Sequence, residues 1–212
     1  MLICFDLGGV VVRTCHAWRL GCEVAGVPYR EEIERPDLRD RFGRVVHAYE
    51  TDAISWEEYL ERGAQALGGL YRPDELARIH ESWLQGEYEG LATLVREIHD
   101  RGEPLTTGCL SNTNRRHWEI MEGDAERFPA FHQLRHRHAS FQLGAMKPDA
   151  AIFRLAEEKT GRRGDGVLFF DDVEENVAGA RQWGWRAERI DRTGDVAAQV
   201  RLHLQAHGVP GF

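Results

Sequence analysis

The segment LICFDLGG, residues 2–9, decides the fold class of this chain. Four apolar residues are followed by Asp6, Leu7 and two glycines. This pattern is typical of a short buried strand that ends in a tight turn. Asp6 is therefore expected at the carboxyl end of a strand, where open α/β sheets bind their ligands.

The second half of the chain, after Gly90, alternates between helical and strand patterns. Strands separated by helices of roughly 10–15 residues indicate βαβ units, so we predict a parallel sheet and an α/β fold. The predicted helices cover residues 91–101, 148–159, 174–183 and 195–206, and the predicted strands cover 105–110, 167–170 and 185–190. The strand ends gather Asp6, Ser111 and the pair Asp171 and Asp172 at one edge of the sheet.

The segment 14–89 differs in character, because apolar residues recur there at helical spacing among many charges. Ser55 and Glu58 form the sequence pattern of a capping box, and Pro73 lies early in a further helix. We predict one α/β core of residues 1–13 and 90–212, with residues 14–89 as an inserted helical subdomain. A chain of 212 residues has room for both.

The composition limits the classes of partner. The formal net charge of -8 gives no electrostatic reason to bind nucleic acid or anionic lipid. No apolar run approaches the length of a membrane span, and the opening residues lack the basic segment of a signal peptide. The four cysteines form no CxxC pair, as expected of reduced thiols, so we expect a cytoplasmic protein.

Four segments resemble the four motifs of the haloacid dehalogenase superfamily, in the same order and over essentially the whole chain. They are FDLGGV at 5–10, LSNTN at 110–114, MKPD at 146–149 and FFDD at 169–172. The resemblance implies a Rossmann-like parallel sheet core with an inserted helical cap of the first type. It also implies a hydrolase, most often a phosphatase, acting on a small phosphorylated molecule.

The resemblance assigns a role to each motif. Asp6 corresponds to the nucleophile, whose attack on phosphorus divides one difficult displacement into two easier steps. A Mg²⁺ ion held by oxygen ligands removes the repulsion between the two anions. The implied metal ligands are the Asp6 carboxylate, the Gly8 main-chain carbonyl, Asp171 and Asp172. The residues implied to hold the phosphoryl oxygens are Ser111, Asn112 and Lys147.

Gly8 departs from the family pattern, since most phosphatases of this family carry a second aspartate at that position as general acid and base. General acid–base catalysis contributes about 10²–10⁴-fold. A substrate with a good leaving group, such as a sugar 1-phosphate, an acyl phosphate or an aryl phosphate, needs this help least. A subgroup that includes bacterial glucose-1-phosphate phosphatase-like proteins is similar in its Asp-Leu-Gly motif. Its cap segment Glu-x-Gly-x-Ile-Ser is matched by Glu50, Ile54 and Ser55, with Asp52 in place of the glycine.

Three alternatives remain open at this point. The missing acid could come from the cap, where His16, His47 and Glu50 are candidates. The chain could instead be a weakly active binding or regulatory protein. It could also be a dehalogenase that cleaves a carbon–halogen bond, because such relatives lack the second aspartate too. They use no magnesium and usually lack two adjacent acids in the last motif, so the pair Asp171 and Asp172 favours phosphate chemistry.

Overall fold

The computed structural model describes all 212 residues. The strands are Leu2–Phe5 (β1), Val12–Thr14 (β2), Leu84–Glu87 (β3), Thr106–Ser111 (β4), His136–Ala139 (β5), Val167–Asp171 (β6) and Arg186–Arg189 (β7). The helices are Trp18–Ala25 (α1), Pro36–Glu50 (α2), Trp56–Ala66 (α3), Pro73–Glu81 (α4), Leu91–Asp100 (α5), Arg115–Gly123 (α6), Pro129–Gln133 (α7), Ser140–Leu143 (α8), Ala150–Thr160 (α9), Glu174–Trp183 (α10) and Val196–Ala206 (α11).

Five strands form one parallel sheet in the order β5-β4-β1-β6-β7, which confirms the predicted α/β fold. β1 lies at the centre, with Phe5 in register with Cys109 of β4 and with Phe170 of β6. The chain first winds outward through β4 to β5 and then returns to the other side of β1 for β6 and β7. This reversal of winding direction creates the crevice in which α/β sheets bind ligands.

The central strand is buried on both faces, as expected of a parallel sheet covered by helices. Ile3 and Phe5 belong to an apolar cluster of 29 buried residues, whereas Leu2 and Cys4 belong to a second cluster of 12. The alternation follows from the two-residue period of a strand. The two cores hold the sheet rigid, so the residues that follow its strands have defined positions.

Helices α1 to α4 surround an apolar cluster of their own, which includes Ile33, Tyr71 and Leu76. Ser55 caps α3 through a complete capping box with Glu58, as the sequence predicts. The segment predicted to be helical also contains a short strand, β3, which pairs antiparallel with β2 where the segment leaves and rejoins the core. Three or four residues are too few to show a clear strand period in sequence.

None of the helices combines the length and the apolar character needed to cross a membrane.

Candidate active site

Asp6 follows β1 and begins a tight turn. Its Oδ1 accepts a hydrogen bond from the Leu7 main-chain N–H at 2.7 Å, and the residue is 7 % exposed. Gly9 continues the turn at a φ of 81°, a left-handed conformation that glycine adopts at little cost. A Cβ at Gly9 would lie 2.4 Å from the Asp172 carboxylate carbon, so glycine also allows the two motifs to approach closely.

Lys147 joins the first and last motifs. Its Nζ lies 2.9 Å from Asp6 Oδ1 and 2.7 Å from Asp171 Oδ2, and the side chain is fully buried. Burial alone would lower the pKa of Lys147, but the two carboxylates outweigh it and raise that pKa. The lysine therefore stays charged, and its ammonium group pairs with both Asp6 and Asp171.

Asn112 fixes the backbone of Lys147. Its amide nitrogen donates to the Lys147 carbonyl and its amide oxygen accepts from the Lys147 N–H, both at 2.9 Å. The side chain predicted to bind phosphate thus holds the lysine in place. Ser111 ends β4, is 2 % exposed, and lines the same cavity of about 410 Å³ as Asp6, Gly8 and Asp172.

The two adjacent acids after β6 differ in their surroundings. Asp171 is completely buried and accepts hydrogen bonds from the Val173 N–H at 2.9 Å and from the Asn176 amide at 3.1 and 3.2 Å. Asp172 is more accessible and pairs with Arg192 at 3.4 Å. Asp171 is therefore held rigidly, whereas Asp172 keeps most of its coordination capacity free.

Asp6, Asp171 and Asp172 each offer one oxygen, and these three atoms lie within 4.8 Å of one another. Burial raises the pKa of Asp6 to about 7, while Lys147 opposes this shift and Asp171 adds to it. Burial, followed by the charge of Asp171, likewise raises the pKa of Asp172. Three crowded carboxylates facing two cations, Lys147 and Arg192, are short of positive charge. An oxygen-lined cluster of this kind fits a hard divalent cation, which would remove the repulsion.

The cap-side candidates occupy different places. His16 and His47 are exposed, and neither lines the cavity that contains Asp6. Glu50 does line it, and burial, followed by the charge of Asp6, raises the pKa of Glu50 to about 7. The structure thus brings one of the three, a carboxyl group that can carry a proton near neutral pH, to the site.

Two features at the site are absent from the sequence-based prediction. Arg192 contacts Asp172 from the loop after β7, and the rule that ligands lie beyond strand ends could have drawn attention to it. His80 and His117 stack with ring centroids 4.0 Å apart, and His117 lines the cavity that contains Asp6. They come from α4 and α6, and no sequence pattern connects them.

Comparisons with known proteins show the family of this chain. The family model described as haloacid dehalogenase-like hydrolase matches residues 1–184. A phosphatase of Mycobacterium tuberculosis (strain CDC 1551 / Oshkosh) is 31% identical over 220 residues, covering 97% of this chain and 94% of the relative.

Two solved structures share the fold. One is a haloacid dehalogenase family enzyme of Bacteroides thetaiotaomicron in complex with magnesium and inorganic phosphate. It has a TM-score of 0.72 and 20% identity, covering 92% of this chain and 96% of that one. The other is the L-2-haloacid dehalogenase of Xanthobacter autotrophicus, with a TM-score of 0.63 and 19% identity, covering 95% and 82%. From the family match and the curated relative together, this chain belongs to the haloacid dehalogenase-like hydrolases.

Proposed function

We propose that this protein is a magnesium-dependent phosphatase that hydrolyses a small phosphorylated metabolite in the cytoplasm through a phosphoryl group carried on Asp6. The observation that carries the proposal is the cluster of Asp6, Lys147, Asp171 and Asp172 at the carboxyl edge of the sheet. The relative named a phosphatase and the structural neighbour that binds magnesium and phosphate support it.

Asp6 is the nucleophile in this proposal. Its free carboxylate oxygen attacks phosphorus, a P–O bond to Asp6 forms, and the leaving group departs with the electron pair of the broken P–O bond. Water then attacks the same phosphorus, which releases phosphate and restores the carboxylate. Lys147 and Ser111 stabilise the charge on the phosphoryl oxygens.

Asp6, Asp172 and the Gly8 carbonyl are the proposed ligands of Mg²⁺, with Asp171 as a further carboxylate of the cluster. When bound, the ion neutralises the negative charge between nucleophile and phosphate. Asp171 also orients Lys147, because its oxygens already accept from Lys147, Val173 and Asn176.

A good leaving group suits this site best, because Gly8 supplies no acid. Sugar 1-phosphates, acyl phosphates and aryl phosphates meet this condition, and the resemblance to glucose-1-phosphate phosphatase-like proteins includes the first of them. Residues 14–89 act in this proposal as a cap over the core of residues 1–13 and 90–212. Glu50 is the cap residue best placed to give a proton to a poorer leaving group.

Dehalogenation is the second candidate, favoured by the similarity to haloacid dehalogenases and by the absent second aspartate. The excess of carboxylates around Asp6 argues against it, since a reaction without a metal would leave their repulsion in place. Release of halide from 2-chloropropionate that is unaffected by EDTA would identify a dehalogenase.

The deciding experiment is a screen of phosphorylated metabolites with Mg²⁺ and with EDTA, performed on the wild type and on Asp6→Asn. We expect Mg²⁺-dependent phosphate release, lowered at least 10³-fold in Asp6→Asn because an amide is a poor nucleophile. Asp100→Asn, an exposed change at the end of α5, is the matched control and should retain full activity. Equal activity in Asp6→Asn and the wild type would exclude the mechanism, and no phosphate release from any substrate would favour a binding or regulatory role.

A further inference from the structure

A second cavity, of about 230 Å³, lies between the helices of segment 14–89 and α6 of the core. Eight of its twelve lining residues are hydrophobic. Its walls are rich in aromatic rings, which are those of Trp18, Phe42, Tyr49, Tyr59 and Trp83. We call it the aromatic cavity.

Four of the polar side chains in the wall of the aromatic cavity, those of Tyr59, His80, Asn114 and His117, are paired in one network. The Tyr59 hydroxyl donates to His80 Nδ1 at 3.1 Å, and His80 Nε2 donates to Asn114 Oδ1 at 3.1 Å. The Asn114 amide donates to His117 Nδ1 at 3.3 Å, and His117 Nε2 donates to the His80 carbonyl at 2.8 Å. The carbonyl acceptor at the end fixes the tautomer of each ring. These four side chains therefore have little hydrogen-bonding capacity left for the hydroxyl groups of a sugar, and the carboxylate of Glu50 lies at the side shared with the cavity of Asp6.

The aromatic cavity adjoins the cavity that contains Asp6. Glu50, Trp83 and His117 line both. The two cavities therefore meet at these three side chains, which places the aromatic cavity next to the site proposed for the phosphate.

We infer that the aromatic cavity receives the leaving group of the substrate and that this group is a single aromatic ring, so that the substrate class is an aryl phosphate monoester. The inference rests on the proposed function and selects one of the leaving groups that the function allows. A cavity of about 150 Å³ lined by apolar side chains accommodates benzene, so 230 Å³ accommodates a substituted ring. Aromatic walls also favour an aromatic guest through stacked and edge-to-face contacts.

The chemistry agrees with the missing aspartate. A phenol titrates near 10, as the Tyr side chain does, so a phenolate departs with far less need of protonation than an alkoxide. Asp6 forms the new P–O bond, the P–O bond to the ring oxygen breaks, and the phenolate leaves with that electron pair. One water molecule then attacks the phosphorus on Asp6, the P–O bond to Asp6 breaks with its electron pair returning to the carboxylate, and the proton that this water loses neutralises the phenolate. The balance is aryl phosphate plus water to phenol plus phosphate.

The test compares phenyl phosphate, glucose 1-phosphate and acetyl phosphate as substrates in the presence of Mg²⁺. Acetyl phosphate reports the proposed function alone, because its leaving group is good and carries no ring. We expect phenyl phosphate to exceed glucose 1-phosphate at least tenfold in kcat/KM. Val46→Phe, which fills the aromatic cavity, should lower the phenyl phosphate to acetyl phosphate ratio of kcat/KM at least tenfold. Val24→Phe, on the exposed surface of α1, is the matched control and should leave the ratio unchanged.

A second measurement uses the wild type alone, in case Val46→Phe does not fold. Phenylphosphonate should inhibit acetyl phosphate turnover at least tenfold more strongly than methylphosphonate does. Equal inhibition, or a Val46→Phe protein that folds and keeps the wild-type ratio, overturns the aromatic assignment while the phosphatase proposal stands. Absence of any acetyl phosphate turnover that depends on Asp6 overturns both.

Discussion

Asp6 and Gly8 lie two residues apart in one turn. The proposed mechanism uses the carboxylate of Asp6 and has no side chain at Gly8 to act as an acid. Asp6 is surrounded by groups that hold its carboxylate, whereas Gly8 leaves open space where most relatives place a second carboxylate. A Cβ at Gly8 would meet only the Thr14 methyl, at 3.7 Å, which is an ordinary contact. The φ of Gly8 is also not positive, so its backbone conformation does not require glycine. The turn can therefore accept a side chain at this position.

Gly8→Asp should restore acid–base catalysis. We expect kcat/KM for alkyl phosphates to rise about 10²-fold, with little change for acyl phosphates, which need no acid. The measurement is the dependence of kcat/KM on the pKa of the leaving group, which should become less steep. Gly8→Asn has nearly the same shape without the acid and is the control. An equal gain in both variants would contradict an acid–base role.

Gly9 makes a separate demand on the turn, because Asp172 occupies the space that a side chain would need. Gly9→Ala should displace Asp172 and raise the Mg²⁺ concentration required for half-maximal activity at least tenfold. The matched control is Gly144→Ala, which has a φ of 65° with nothing within 4 Å of its Cβ position. The left-handed backbone costs both variants on the order of 1 kcal/mol of stability, but only Gly9→Ala should change the Mg²⁺ requirement. The same Mg²⁺ requirement in both variants would show that the space at Gly9 does not affect the metal site.

At the scale of elements, α4 and α6 meet through the stacked rings of His80 and His117. Asn114 caps α6 by accepting a hydrogen bond from the His117 N–H at 3.0 Å, and its side chain also contacts His80. Burial lowers the pKa of His117 to about 4, although its hydrogen bond to His80 and the charge of Glu81 oppose this. Burial, followed by the charge of His117, also lowers the pKa of His80. Two neutral histidines therefore connect the helical segment to the core.

The buried contact between His80 and His117 should make the free energy of unfolding decrease as the pH falls. A histidine with a lowered pKa in the folded state contributes stability that is present above its unfolded pKa near 6.5 and is lost as the pH falls towards 4. For His117 alone the loss is on the order of 3 kcal/mol at pH 4. Urea unfolding of the wild type and of His117→Gln, which keeps a donor for the His80 carbonyl, should show a weaker pH dependence in the variant. His16→Gln, at an exposed position, is the control, and identical slopes in all three proteins would contradict this assignment.

At the scale of the whole molecule, the two connections between the core and the helical segment lie side by side. β2 and β3 pair antiparallel, and Arg13 donates to the Gln85 carbonyl at 3.1 Å across them. Both connections therefore leave the core at one place, and the active-site cavity is lined from the core and from the helical segment by residues such as Asp6 and Glu50. This geometry suits a cap that moves relative to the core.

Limited proteolysis should detect such a movement. With Mg²⁺ and beryllofluoride, a phosphate analogue that would bind Asp6, we expect slower cleavage near residues 13 and 90 than in the free protein. Asp6→Asn should show no such protection, because it lacks the nucleophile. Identical digestion with and without the analogue would indicate that the segment 14–89 does not close over the site.

The fold and the positions of the motifs follow from local patterns of apolar and polar residues, so both could be predicted from the sequence. Four apolar residues before Asp6, and helices and strands in alternation after Gly90, leave few arrangements other than a parallel sheet. The same patterns placed Asp6, Ser111 and Asp171 at strand ends, which the structure then brings to one edge. The short strands β2, β3 and β5 escaped prediction, β2 and β3 because their pairing is not local, and β5 because its residues His136–Ala139 are mostly polar and show no apolar strand pattern.

What tertiary structure alone decided is the environment of these groups. The burial of Lys147 between two carboxylates, the space beside Gly8 and the stacking of His80 on His117 depend on segments far apart in the chain. The aromatic cavity arises in the same way, because its walls come from α1 to α4 and from α6. Periodicity in a sequence shows which side of an element is buried, but packing between distant elements determines what that side encloses.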